Sequence, residues 1–123
     1  MILVDTSIWV DHLRRGDATL ADILNRGLVL THPFVIGELA LGRLRQRDTV
    51  LRTLEELPHA IVASHAEAMS FIERQKLFES GIGYIDVHLL AAARLTPNTR
   101  LWTRDRRLAA AAERLSLAAD LAG

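Results

Sequence analysis

An α/β fold built on a parallel sheet is the architecture this chain predicts, and two features carry the prediction. Short continuous apolar runs, of the type a strand covered on both faces presents, recur along the chain. Between them lie segments whose apolar residues fall at helical spacing, and such alternation sets successive strands parallel with helices on both faces. The composition agrees: of 123 residues 50% are hydrophobic and 24% charged, the balance of a chain that buries one core.

The first strand is expected at Ile2 to Asp5, a short apolar run closed by an acid. Ile8, Trp9, His12 and Leu13 follow at helical intervals, and a second helical stretch, with Leu20, Ile23 and Leu24 on one face, ends at Gly27, a residue suited to a helix C-terminus. Leu28 to Thr31 is the next strand. Pro33 opens a helix, because its fixed φ fits the first turn, and apolar spacing carries that helix from Phe34 to Leu44. Another helix runs from about Asp48 to Leu57 and stops at Pro58. Ala60 to Ala63 is a third strand, His65 to Glu79 a long amphipathic helix, and Gly81-Ile82-Gly83 a break before the helix Tyr84 to Leu95. Pro97 and Asn98 turn the chain into a fourth strand, Leu101 to Thr103, followed by a helix from Asp105 to Leu115 and a last short strand at Leu117 to Leu121. The expectation is a single domain over residues 1–123, with a sheet of about four or five strands.

Charge and composition narrow the functions open to such a domain. Lys plus Arg (15) equals Asp plus Glu (15), so no whole-molecule field draws the chain to a polyanion, and any such binding must come from local patches. With no cysteine there are no disulfides, thiolate metal sites or thiol nucleophiles, which fits a reducing compartment. No apolar run approaches the ~20 residues that span a bilayer, and no basic segment followed by an apolar stretch opens the chain. A cytoplasmic protein without a membrane partner is the expectation.

In open α/β sheets, ligands bind beyond the carboxyl ends of the strands, where helix starts also gather. Asp5 closes the first strand, Asp105 follows the fourth by two residues, and Asp86 lies in the first turn of the helix that begins near Tyr84. Each has an ordinary explanation, since aspartate caps helix N-termini and gains about 0.5 to 2 kcal/mol there. Glu38 is harder to explain that way. Phe34 and Val35 precede it, and Leu41 and Gly42 follow it, at helical distances, so it shares a face with apolar neighbours, where a glutamate is expected to pair with a cation or a metal. Arg43 or Arg45 is the alternative partner. Four carboxylates that converge repel one another, and a divalent cation offsets the repulsion. Oxygen-only ligation favours Mg²⁺ or Mn²⁺ over zinc, and the chemistry open to such a site is phosphodiester hydrolysis.

Four stretches, taken in this order and spacing, carry a family resemblance: the opening LVDTSIWVD, the GELALG around Glu38, the GYIDVHLLAAARL around Asp86 and the LWTRDRRLAA around Asp105. The chain resembles the PIN-domain ribonucleases, and among them the VapC toxins of bacterial toxin–antitoxin pairs, nearly end to end. The resemblance implies a three-layer α/β/α fold and a metal-dependent endoribonuclease. Asp5, Glu38, Asp86 and Asp105 would then be the catalytic cluster around one or two Mg²⁺ or Mn²⁺ ions. Thr6 or Ser7 would steady Asp5 or a metal-bound water, and Thr103 would do likewise for Asp105. It also implies a homodimer held inactive by a small cognate antitoxin whose C-terminal segment covers the site. One departure stands after the last acid, where Arg106, Arg107 and Leu108 occupy positions at which relatives often carry an aromatic residue.

Of the basic residues, Arg104, Arg106 and Arg107 flank Asp105, and Arg14 and Arg15 end the first helix, so these are the candidates for contact with an RNA backbone; a solvated helix face is the alternative. His12, His32, His59, His65 and His88 show no ligand spacing, and Trp9 and Trp102 lie in apolar segments that favour packing. Beside the toxin reading stand a housekeeping RNA-processing PIN nuclease and a non-catalytic α/β interaction module in which the acids are caps and surface ion pairs. A receiver-type domain with Asp5 as phosphoacceptor ranks last, because the only lysine, Lys76, falls inside a long helix and Asp5 is not part of an Asp-x-Asp pair.

Overall fold

A computed structural model describes residues 1–121 of the chain. Strand β1 (Ile2–Val4) leads into helix α1 (Thr6–Arg15), and α2 (Ala18–Asn25) returns to β2 (Val29–Leu30). Helices α3 (Pro33–Ala40), α4 (Arg47–Glu56), α5 (His65–Gln75) and α6 (Tyr84–Leu95) follow, then β3 (Arg100–Trp102) and α7 (Arg106–Arg114).

The sheet has the order β2-β1-β3 and both pairings are parallel, with Leu3 opposite Leu30 on one side and Leu101 on the other. Leu3 and Val4, adjacent in β1 and therefore on opposite faces of the sheet, are both wholly buried. Both faces are thus covered by helices, as the three-layer expectation requires. α6 is the most enclosed helix: every residue from Val87 to Ala93 is buried, and Ala91, Ala92 and Ala93 let its neighbours approach closely. Its first turn, which carries Asp86, opens on the carboxyl ends of the strands.

The strand count differs from the expected four or five. Ala60 to Ala63 and Leu117 to Leu121 form no strands; each edge of the three-stranded sheet has only one parallel bridge, Thr31 to His59 and Leu101 to Ala118. The physical reason is visible in Ile61 and Val62, which are about half exposed (49% and 48%), so that apolar run is not held between two neighbouring strands. Ala60 donates to the Thr31 carbonyl (2.9 Å), and the chain then leaves the edge.

Two helices are shorter than their apolar spacing suggests. α3 ends at Ala40 rather than Leu44, with Leu41 90% exposed and the guanidinium of Arg47 capping the Ala40 carbonyl (2.9 Å). α5 ends at Gln75 rather than Glu79, because Lys76 takes a left-handed conformation (φ 53°) and Leu77 turns back to donate to the Ile72 carbonyl (2.9 Å), burying its side chain. At the other end of α5, Ser64 and Glu67 form a reciprocal capping box. Among the described residues no helix is long and apolar enough to cross a membrane.

Candidate active site

Asp5 sits where β1 becomes α1, and its backbone is still in the sheet: its N–H donates to the Trp102 carbonyl (2.9 Å), which fixes it beside the end of β3. Its side chain is buried and makes no capping hydrogen bond to α1. Instead one carboxylate oxygen, Oδ2, accepts from Ser7 Oγ (2.8 Å) and Thr103 Oγ1 (2.7 Å). Those two hydroxyls in turn accept from the backbone of the β3–α7 turn: Arg104 N–H reaches Ser7 (3.0 Å) and Asp105 N–H reaches Thr103 (3.0 Å). Residues separated by the length of the chain therefore lock one carboxylate in a single orientation.

The other three acids arrive on helix starts or a helix face. Asp86 accepts from Gly83 N–H (3.2 Å) across the first turn of α6, and Asp105 caps α7 through Leu108 N–H (2.9 Å). Capping thus accounts for part of Asp86 and Asp105 and for nothing at Asp5. Glu38 stands on the exposed side of α3, where its Oε1 accepts from Thr6 Oγ1 (2.8 Å). The buried stripe of that helix is Val35, Ile36 and Leu39, and Glu38 does not lie on the apolar face expected of it: Leu41 and Gly42, two of the neighbours that defined that face, are exposed. The supporting hydroxyls are also redistributed. Ser7 steadies Asp5 as expected, Thr6 serves Glu38, and Thr103 gives its proton to Asp5 while meeting Asp105 only through backbone N–H.

The four acids meet electrostatically. Burial raises the pKa of Asp86, the carboxylates of Asp5, Asp105 and Glu38 push it further in the same direction, and the Gly83 N–H opposes them. Among the described residues no basic side chain forms an ion pair with any of the four. Each keeps one carboxylate oxygen with no hydrogen-bond partner among those residues: Oδ1 of Asp5 and Asp86, Oε2 of Glu38 and Oδ2 of Asp105. No three His, Asp or Glu side chains of the described residues stand close enough to enclose an ion as they are placed. As a donor set, all oxygen, mutually repelling and without a cationic partner, the cluster nevertheless fits a hard divalent cation.

The basic candidates separate into committed and free groups. Arg104 is held by Asp11 (2.5 Å) and Asp17 (2.8 Å), and Arg15 bonds Asp11 (3.3 Å) one turn away. Arg14 is exposed and lines a cleft of about 300 Å³ together with Glu38, Arg43 and Arg45. Arg43 and Arg45, weighed above as partners for Glu38, form no ion pair with it. Arg106 and Arg107 line a second cleft, of about 360 Å³, along α7. Arg107 also lies over Gly81, where a Cβ would come within 2.8 Å of its Cδ. Two of the histidines pack, while His59 and His65 are exposed. His88 lies between the rings of Phe34 (4.9 Å) and Tyr84 (4.6 Å), and buried His32 accepts from Phe34 N–H (3.0 Å) through Nδ1, capping α3. That capping role is invisible in the spacing of the histidines and is signalled only by His32 standing immediately before Pro33.

A covered parallel sheet whose acids collect at one rim defines a class of α/β protein, and comparison with known families identifies it. The PIN-domain family model matches residues 2–114, and the chain belongs to that family. Within it, the chain is 47% identical over 111 residues to Ribonuclease VapC32 of Mycobacterium tuberculosis (strain CDC 1551 / Oshkosh), an alignment that covers 90% of each chain. The same identity and coverage hold for Ribonuclease VapC32 of strain ATCC 25618 / H37Rv. The resemblance read from LVDTSIWVD and the three later stretches is thereby borne out.

Proposed function

We propose that this protein is an endoribonuclease of the VapC kind. It acts as the toxin of a VapBC-type toxin–antitoxin pair, hydrolyses RNA phosphodiester bonds in the cytoplasm with Mg²⁺ or Mn²⁺, and is held in check by a cognate antitoxin. The observation that carries the reading is the set of four carboxylates at the carboxyl rim, of which Asp86 feels the other three, with no basic residue among the described residues paired to any of them. A purely structural acid in such company would gain from an arginine, and arginines are abundant in the chain. We further propose that the 123 residues act as one domain and that two copies associate as a homodimer.

Asp5, Glu38, Asp86 and Asp105 would hold the cation. Bound there, it lowers the pKa of water and neutralises charge on the phosphoryl and leaving oxygens. The residues of the chain do the rest. Ser7 and Thr103 hold Asp5 rigid, leaving its second oxygen for a ligand. Thr6 orients Glu38 in the same manner. As water attacks phosphorus, the new P–O bond forms, a carboxylate of the cluster takes the water's proton, and the bond to the ribose oxygen breaks, that oxygen leaving with a proton from solvent.

The test is cleavage of RNA by the purified protein with Mg²⁺ or Mn²⁺. Asp5→Asn and Glu38→Gln should each lower the rate about a hundredfold or more with the circular dichroism spectrum retained. Full activity in either variant would refute the assignment. Expression with and without the product of the neighbouring upstream gene tests the toxin role: growth arrest relieved by that partner supports it, and harmless expression with intact RNA argues for the interaction module.

A further inference from the structure

Half of the fourteen arginines are committed within the molecule. Some form ion pairs with Asp11, Asp17 or Asp22, and others donate to backbone carbonyls of Ala40, Gln75, Leu115 or Ser116. The remainder are not scattered evenly. Arg14, at the end of α1, and Arg43 and Arg45, in the turn between α3 and α4, line one cleft of about 300 Å³, and Glu38 is part of the same wall. All three are exposed, and among the described residues none has a side-chain hydrogen bond or an ion pair. Val10 and Leu13 of α1 and Leu39 of α3 line part of the cleft, and the α3–α4 turn, from Gly42 to Arg45, supplies the rest.

Three guanidinium groups in one cleft repel one another, and among the described residues none of them forms an ion pair, not even with Glu38 in the same wall. Arg47, two residues beyond Arg45, shows the alternative, since it is spent on capping α3. Resting on the ribonuclease reading above, we propose that the Arg14, Arg43 and Arg45 cleft holds a backbone phosphate of the RNA substrate beside Glu38, fixing the strand that enters the acidic cluster. The chemistry is that of phosphate recognition by arginine, whose planar fork matches two phosphate oxygens. It also resolves a difficulty of the neutral chain: with no net charge and an acidic centre, RNA needs a local basic seat next to the carboxylates, and this cleft supplies one. The contact carries register rather than sequence information.

The experiment measures binding of a fluorescein-labelled RNA stem-loop by anisotropy, as a function of salt, with Asp5→Asn as the non-cleaving background. Arg14→Ala, Arg43→Ala and Arg45→Ala should each weaken binding about three- to tenfold and lower the slope of log K against log salt by about one. Arg43→Lys should keep the slope, because the charge remains, while losing part of the affinity. Arg74→Ala, on α5 and outside this cleft, should change neither. Slopes that stay unchanged in the three alanine variants, while the wild-type protein cleaves RNA, overturn this inference and leave the ribonuclease reading standing. Absence of both cleavage and binding in the wild type overturns the two together. If the variants bind RNA as before but escape inhibition by the upstream-gene product, the cleft is a protein-docking surface and the inference is wrong.

Discussion

Asp5 and its two hydroxyl partners show how a single carboxylate is set in place by residues from opposite ends of the chain. Ser7 lies two positions on and Thr103 near the far end, yet both donate to the same oxygen. Removing either hydroxyl leaves Asp5 held by one donor instead of two. Ser7→Ala or Thr103→Ala should lower RNA cleavage about tenfold to a hundredfold while changing the melting temperature little, a split that kinetics and calorimetry on the same preparations measure. Gly81 gives the opposite pattern. Its φ of +85° is strained for any residue with a Cβ, and that Cβ would meet Arg107 at 2.8 Å. Gly81→Ala should therefore destabilise by about 1 to 2 kcal/mol in urea unfolding. At this scale the sequence was informative about residue types and less so about reasons. The acids at Asp5, Asp86 and Asp105 follow from strand ends and helix starts. Glu38 was singled out by an apolar face that the folded helix does not present, and the true partner, Thr6, is a long-range contact that local spacing cannot reveal. Arg104 likewise looked free beside Asp105, because its ion pairs with Asp11 and Asp17 span most of the chain.

Helix α3 carries Glu38, and its start depends on a histidine. His32 is fully buried, and its Nδ1 accepts from Phe34 N–H, which requires the neutral ring. Burial, with His88 and His59 adding in the same direction, lowers its pKa from 6.5 to about 4. A group whose folded pKa lies below its unfolded value binds fewer protons when folded, so its contribution is complete above about pH 6.5 and is lost as pH falls toward 4. Protonation would both charge a buried ring and remove the cap. Unfolding free energy should fall by on the order of 3 kcal/mol across that window. His32→Asn, which keeps a capping oxygen, should flatten the pH dependence even though it leaves space beside Phe34, and a series of urea melts from pH 7 to pH 4 reads the slope. Element ends were the least legible part of the fold. Helices and the three paired strands follow from apolar spacing, proline and glycine. The segments Ala60 to Ala63 and Leu117 to Leu121 have strand-like composition, but pairing depends on what lies beside them, and each meets the sheet at one residue only. The early ends of α3 and α5 were set by a capping arginine and a left-handed lysine, neither of which interrupts the apolar pattern.

Over the whole molecule the charges cancel, but they are not evenly spread. Acids collect at the sheet rim and unpaired arginines line the cleft beside Glu38. Such an arrangement lowers the stability of the metal-free protein, since the fold must hold like charges together. Burial first, and the neighbouring carboxylates after it, raise the pKa of Asp86: ionised Asp86 is less favourable in the folded chain than in the unfolded one, so this group contributes a penalty above its folded pKa that is relieved as the carboxyl protonates. Two consequences are open to one experiment. In the presence of EDTA at neutral pH, Asp86→Asn should raise the melting temperature by about 2 to 5 °C, because the cost of burying a charge and the repulsion are both removed and the side chain can still meet Gly83 N–H. Added Mn²⁺ should raise the melting temperature of the wild-type protein with increasing concentration, as a ligand of the folded state alone must, and raise that of the variant much less. The order of the two proteins should therefore narrow or invert as metal is added. Equal metal-induced shifts in both would mean that Asp86 does not face the cation, and a metal-free variant less stable than the wild type would mean that its carboxylate is held for packing or capping. Activity bought with stability is expected where carboxylates are assembled for a cation that binds only after folding, and this pair of melts separates that design from a merely acidic surface.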